Sequence, residues 1–315
     1  LNQVPDLLTE LANRARVASI TASSALEGVI VKNRSRAAAI IANKPIVLRT
    51  RSEQELAGYR AALDYLFAED WRPLNVGLLL HLHRLLFAET KTTGGSFKES
   101  DNLVVDRSPD GIQTVRFKPV PAARTEYYAA DLIDRYADAV RANRHHPVLL
   151  VGLFVLDLLS IHPFDDGNGR VARGLTNALL AEAGYGVGRY VSLEQLIAES
   201  ADDYYQALLD STHDWNDHAN DPWPWLKYFS QLLARGYARF AEGVAADMSG
   251  GTKSERVREH VLRHGAPVFA ISDVRAALPG ISDPTIRLVL NELKDEGRLK
   301  PQGTGRSAVW LRVTT

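Results

Sequence analysis

The chain has 315 residues, 45% hydrophobic and 24% charged, and its 37 Lys+Arg nearly balance 38 Asp+Glu for a formal net charge of −1. That is the composition of a folded globular chain, long enough for about two domains and too poor in Gly and Pro for a collagen-like or disordered one. Cysteine is absent, which excludes disulfide scaffolds, thiolate metal centres and cysteine nucleophiles.

No run reaches the ~18 apolar residues that span a bilayer; the longest, Val148 to Ile161, is broken by Asp157. No basic segment followed by an apolar run opens the chain, so no signal peptide is expected, no membrane partner, and the cytoplasm is the default compartment.

In chain order, apolar spacing near 3.6 predicts helices over residues 54–68 and 75–89. Residues 95–119 break the pattern. Short apolar runs flank Arg107-Ser108-Pro109-Asp110-Gly111, a turn signal, so a β-hairpin is expected there. Helical spacing resumes over 124–141, 147–160, 168–182 and 223–242. The small polar stretch around Ser249-Gly250-Gly251 reads as a linker, residues 247–253. Beyond it come a helix over 255–263, one capped by Ser272 and ending near Leu278, and a third from Asp283-Pro284 to about Glu296. That third helix gathers Ile286, Val289, Leu290 and Leu293 on one face. A hairpin from Leu299 to Val313 closes the chain. Three helices and a hairpin form a winged helix-turn-helix pattern. Residues 252–315 carry 11 Lys+Arg against 7 Asp+Glu, and the rest 26 against 31, so a mildly basic tail follows an acidic body.

The segment Ile161-His162-Pro163-Phe164-Asp165-Asp166-Gly167-Asn168-Gly169-Arg170-Val171-Ala172-Arg173 carries the chemistry. A hydrophobic helix stops at His162-Pro163, because a residue before proline avoids the α region. A new helix starts near Asn168, and helix starts present free N–H groups and a positive dipole end to an anion. Gly167 and Gly169 admit close backbone approach. Arg170 and Arg173 share a face. Cations are unfavourable at a helix start, and a bound polyanion would resolve that conflict. Asp166 offers a hard oxygen for Mg²⁺, and His162 a base titrating near neutrality. These are the parts of phosphoryl or nucleotidyl transfer, and no Walker P-loop or kinase motif is present to bind the nucleotide otherwise.

The segment resembles the Fic family signature H-P-F-x-[DE]-G-N-G-R-x-x-R and matches every fixed position. The resemblance implies transfer of AMP from ATP to a Tyr, Thr or Ser hydroxyl of a target protein. His162 would be the base, Phe164 the loop's anchor in the core, and Asp166 the Mg²⁺ ligand. Gly167, Asn168 and Gly169 would form the anion hole, with Arg170 on the leaving pyrophosphate and Arg173 on the γ-phosphate. Ser23-Ser24-Ala25-Leu26-Glu27-Gly28 resembles the family's inhibitory motif [ST]-x-x-x-E-[GN]. Ser23 and Glu27 would share a helix face, and Glu27 would pair with Arg173 where the γ-phosphate belongs. The hairpin at 95–119 matches the family's flap, where an extended target segment would dock by strand pairing. Tyr204 and Tyr205 resemble a pair of which one lines the adenine pocket. His81, His83, His145 and His146 read as structural or surface residues.

The expected fold is mainly α. An N-terminal helical region with the inhibitory helix (1–45) precedes a helical Fic domain with a small β-hairpin flap (46–246), followed by the linker and a winged helix-turn-helix domain (254–315). Two other functions remain open: removal of AMP with Glu27 positioning a water, and a nucleotide-responsive DNA-binding regulator. The tail suits DNA and protein contact, such as homodimerisation, about equally, because Arg287, Lys294, Lys300 and Arg306 stand among Glu292, Asp295 and Glu296.

Overall fold

A computed structural model of the chain describes residues 3–68, 71–107, 113–248, 253–278, 281–303 and 309–313. Helices dominate, and polar caps set where they start. The first, α1 (Gln3–Leu26), stops at a turn in which Gly28 takes φ +73°. The Gly28 N–H donates to the Ala25 carbonyl, and the Val29 N–H to that of Ser24, both at 2.9 Å. Glycine reaches this left-handed conformation without the penalty a Cβ would bring. Asn33, Thr50 and Asn75 cap α2 (Arg34–Ile41), α3 (Arg51–Phe67) and α4 (Val76–Phe87) by accepting a backbone N–H of the first turn, a contact worth about 1 kcal/mol each.

Two strands follow, β1 (Val104–Arg107) and β2 (Gln113–Phe117), antiparallel with Val105 opposite Val115 and an irregularity between Val104 and Val105. The hairpin is shorter than the expected 95–119. Residues 95–103 form no strand, because Phe97 and Lys98 turn inward against the chain, and the turn at 108–112 lies outside the described residues.

The centre is built by α5 (Ala122–Ala142), α6 (Pro147–Ile161) and α7 (Asn168–Glu182). α6 is apolar almost all round and buries Val151, Phe154 and Leu158. It packs against α5 and α7, and α7 packs in turn against α3. The loop joining α6 to α7 is therefore pinned at both ends by core helices. The short helices α8 (Leu193–Glu199) and α9 (Ala201–Thr212) follow, then α10 (Trp223–Met248), six residues longer than its apolar pattern indicates.

Contacts divide the chain into two compact units, Ala15–Gly236 and Leu1–Arg14 with Tyr237–Thr315. The first holds both the signature loop and Ser23–Gly28. The second contains α11 (Lys253–Glu259), continued by a π-helical turn (His260–His264), then β3 (Val268–Ala270), α12 (Ile271–Ala277), α13 (Asp283–Asp295), β4 (Leu299–Gln302) and β5 (Val309–Arg312). Its strands are antiparallel in the order β3-β5-β4. Ile286, Val289, Leu290 and Leu293 are fully buried with Phe269 and Val257. Ser272 is not the cap of α12. The helix starts at Ile271, two residues earlier than a Ser272 cap would place it, and the Asp273 carboxylate accepts the Ala270 N–H at 2.8 Å. The expected linker falls largely outside the described residues, as does the turn at 304–308. Among the described residues, no helix is long and apolar enough to cross a membrane.

Candidate active site

α6 ends because His162, ahead of Pro163, turns left-handed at φ 51°. Its Nδ1 lies 3.2 Å from the Leu159 carbonyl oxygen. A carbonyl only accepts, so Nδ1 carries the proton and Nε2 keeps the lone pair. Burial, helped by the nearby Lys98 charge, pushes the ring's pKa down to about 4. The imidazole is thus neutral and able to accept a proton at ordinary pH.

Phe164 is fully buried and stacks on His83, with ring centres 3.9 Å apart and 10° between planes. Asn168 holds the loop across its mouth. Its Oδ1 accepts the Phe164 N–H at 2.9 Å, and its Nδ2 donates to the Phe164 carbonyl at 2.7 Å. The Asn168 side chain is thereby committed to the loop, leaving its backbone N–H as what it offers an anion. Gly167 opens α7 at φ +83° with no side-chain cap, and a Cβ there would lie 2.6 Å from Leu86 Cδ2. The first N–H groups of α7 therefore meet no capping side chain, as an anion site requires.

The Asp166 side chain is half-exposed. Its Oδ1 accepts the Gly167 N–H at 2.6 Å, and its Oδ2 lies 3.6 Å from Arg51 Nη2. Among the described residues no cluster of three or more His, Cys, Asp or Glu forms a metal cage. One hard carboxylate beside an uncapped helix start still fits Mg²⁺, which keeps several waters and is commonly shared with substrate phosphates.

The two arginines have different surroundings. Arg170, 1% exposed, pairs with the buried Glu55 at 2.6 Å and lies over the Phe87 ring. Its Nη2 is 3.4 Å from Asp166 Oδ1, and its buried Nε has no partner. It is an internal charge, held among Glu55, Asp166 and the Phe87 ring. Arg173 is bonded to the N-terminal motif. Its Nε donates to Ser23 Oγ at 2.8 Å, and its Nη2 to the Ser23 carbonyl at 3.1 Å and to Glu27 Oε1 at 2.6 Å. Glu27 follows the last residue of α1, in the turn that Gly28 makes. Its carboxylate lies so close over Gly169 that a Cβ there would be 2.3 Å from Oε1. Burial raises the Glu27 pKa, but the Arg173 charge outweighs it and the net direction is down. Glu27 is ionised and lies against the uncapped start of α7.

Tyr204 is buried in an edge-to-face cluster with Trp225 and Tyr228, its hydroxyl beside Arg173. Tyr205 is half-buried. Its hydroxyl is 3.5 Å from the Leu26 carbonyl, and Arg116 of β2 lies over its ring.

Three supporting residues were not singled out by the motif. Glu55 sits on the buried face of α3, and a carboxylate among the apolar positions of a helix is the signal that could have found it. His83 accepts the Gly95 N–H on Nδ1 at 3.0 Å, so its Nε2 carries the proton and donates to the Asp166 carbonyl at 3.2 Å. It is structural, as expected, but what it supports is the loop. Lys98 is the third.

Residues 73–180, about a third of the chain, match the model of the Fic/DOC family. It is 30% identical over 134 residues to the protein adenylyltransferase Fic of Drosophila grimshawi, a match covering 42% of this chain and 26% of that relative. The chain thus spans about a quarter of the length of the curated relatives it matches. A Fic family protein from Desulfovibrio desulfuricans superposes with a TM-score of 0.60 at 22% identity, over 100% of this chain and 90% of that one. A Fic domain containing signaling protein from Bacteroides thetaiotaomicron gives 0.60 at 22% identity, over 74% and 87%. Both likenesses concern the fold.

Proposed function

We propose that this chain is a protein adenylyltransferase that moves AMP from ATP to a hydroxyl side chain of a target protein, restrained by Glu27 on Arg173. The single observation that carries the reading is the loop itself: a neutral imidazole, an uncapped helix start and one half-exposed carboxylate within six residues. The triphosphate lies along the start of α7, its α- and β-phosphates on the N–H groups of Asn168 and Gly169, while the Gly167 N–H stays on the Asp166 carboxylate. The buried Arg170 adds positive potential from below, and Arg173 takes the γ-phosphate. The target hydroxyl gives its proton to His162 Nε2 as its oxygen bonds to the α-phosphorus, and the bond to the β-phosphate oxygen breaks to release pyrophosphate. Mg²⁺, held by Asp166, would supply charge neutralisation on the phosphates. Tyr205, with more exposed surface than Tyr204, is the better placed of the pair to line the adenine.

The Glu27 carboxylate stands where the γ-phosphate would bind, and two anions cannot share one guanidinium at that distance without a large cost. The target segment pairs with β2, beside a cavity of about 850 Å³ lined by Val115, Phe117 and Trp215 among others. That mode reads the backbone and tolerates varied target sequences. The basic tail is a winged helix for a protein or DNA partner, and the whole acts in the cytoplasm. ATP labelled on the α-phosphate, incubated with the chain and Mg²⁺, is expected to leave label on protein, whereas γ-labelled ATP leaves none. Label from the γ-position alone would mean phosphate transfer and overturn the reading.

A further inference from the structure

The residues from Phe97 to Asn102, between α4 and β1, form no regular element yet cling to the loop. The Lys98 N–H donates to the Pro163 carbonyl at 3.0 Å. Lys98 Nζ lies 2.8 Å from Asn102 Oδ1 and 3.4 Å from the Ile161 carbonyl oxygen. Asn102 Nδ2 donates to the Phe164 carbonyl at 3.0 Å. The carbonyls of Ile161, Pro163 and Phe164, which bracket His162, are thus all taken by one short segment.

Lys98 is 3% exposed. Taking an ammonium group out of water is costly unless it is hydrogen-bonded, and a Met of similar length would fill the same space at no such cost. What Met could not do is satisfy the Ile161 carbonyl or carry charge. His162 needs the first, because a left-handed residue before proline persists only where its surroundings over-determine it. The charge acts on the ring. The groups facing His162 are Lys98, Glu27 from the turn after α1, and Asp166 of its own loop. Those facing Lys98 are Asp101 and Asp165. Of the three around His162, Lys98 alone opposes a second positive charge.

We propose that Lys98 is a positioning residue for His162, fixing through the Ile161 carbonyl the turn that presents the imidazole, while its charge keeps that imidazole in the proton-accepting form. Burial holds the Lys98 pKa down to about 8, so the ammonium form still prevails at neutral pH. The catalytic meaning of this role rests on His162 being the base, but the role itself is measurable without transfer.

The test is a nuclear magnetic resonance titration of the His162 ring in the full ATP-free chain, its signal assigned by its loss in His162→Gln. Lys98→Met is expected to raise the His162 midpoint by about one pH, a tenfold gain in proton affinity. Lys98→Arg, which keeps the charge, is expected to leave it near wild type. An unchanged midpoint in folded Lys98→Met overturns the proposal, as does an equal rise in Lys98→Arg. If Lys98→Met does not fold by circular dichroism, Lys98→Gln, a neutral donor to the same carbonyl, carries the same measurement and the same two outcomes. If these titrations behave as expected while no variant transfers AMP, the reading of His162 as the base fails and the role of Lys98 stands.

Discussion

The Glu27 carboxylate and the Arg173 guanidinium meet at 2.6 Å across 146 residues of sequence. Arg173 is 4% exposed, so it could not lie there unpaired without a large desolvation cost. Glu27, with 29% of its side chain exposed, is the partner that can leave. Under the proposed function, the pair is where one anion would exchange for another on a fixed buried cation.

Removing Glu27 is expected to lower stability modestly, because Ser23 still offers Arg173 two acceptors. Glu27→Gly should cost roughly 1–2 kcal/mol, less than the ~3–5 kcal/mol of breaking a fully buried pair. Urea midpoints at pH 7.5 measure it, and added ATP with Mg²⁺ should restore more stability to the variant than to wild type.

Glu55 pairs with Arg170 inside the core, and neither can leave. Glu55→Ala is expected to cost about 3–5 kcal/mol by stranding the arginine. Glu55→Leu/Arg170→Met should recover part of the stability, and abolish transfer, since the positive charge beneath the loop is gone. Thermal melting of the two variants checks the first statement, and α-labelled ATP the second.

Asn168→Ala removes both side-chain bonds to the Phe164 backbone. The expected loss is about 1–3 kcal/mol, together with faster hydrogen exchange at the Phe164 N–H, which mass spectrometry of the loop peptide reads directly.

Stability is expected to fall on mild acidification. Burial holds the pKa of His162 and of His260, in the C-terminal unit, down to about 4. Unfolded histidine takes its proton near 6.5. Between about pH 6.5 and 4 the unfolded chain binds more protons than the folded one, so each histidine subtracts stability as pH falls, on the order of 1–3 kcal/mol over that window. Above 6.5 neither contributes. Urea midpoints at pH 7.5 and 5 should differ in this direction, and His260→Gln should reduce the difference.

The signature and the Ser23–Gly28 motif were legible because their residue types recur at fixed spacing within a dozen positions. Their local physics, a helix stop before Pro163 and a glycine-bounded helix start, can be read from neighbours alone. The long helices were legible from their period. The supports were not. Glu55 meets Arg170 across 115 residues, and His83 meets Asp166 across 83; a buried-face carboxylate can flag Glu55, but no local pattern names its partner. Residues 95–103 read as part of the hairpin because Phe97 and Leu103 lie in short apolar or alternating runs, whereas the inward turn of Lys98 depends on carbonyls some 60 positions away. The cap of α12 went to the nearest serine, although Asp273 could reach back to Ala270 from inside the helix.

The most direct measurement is label from α-labelled ATP on wild type, Glu27→Gly and Glu27→Gly/His162→Ala, each with Mg²⁺ and a mixture of candidate target proteins. The account predicts weak labelling by wild type, at least about tenfold more by Glu27→Gly, and none by the double variant. Equal labelling by wild type and Glu27→Gly, or labelling that survives loss of His162, would contradict it.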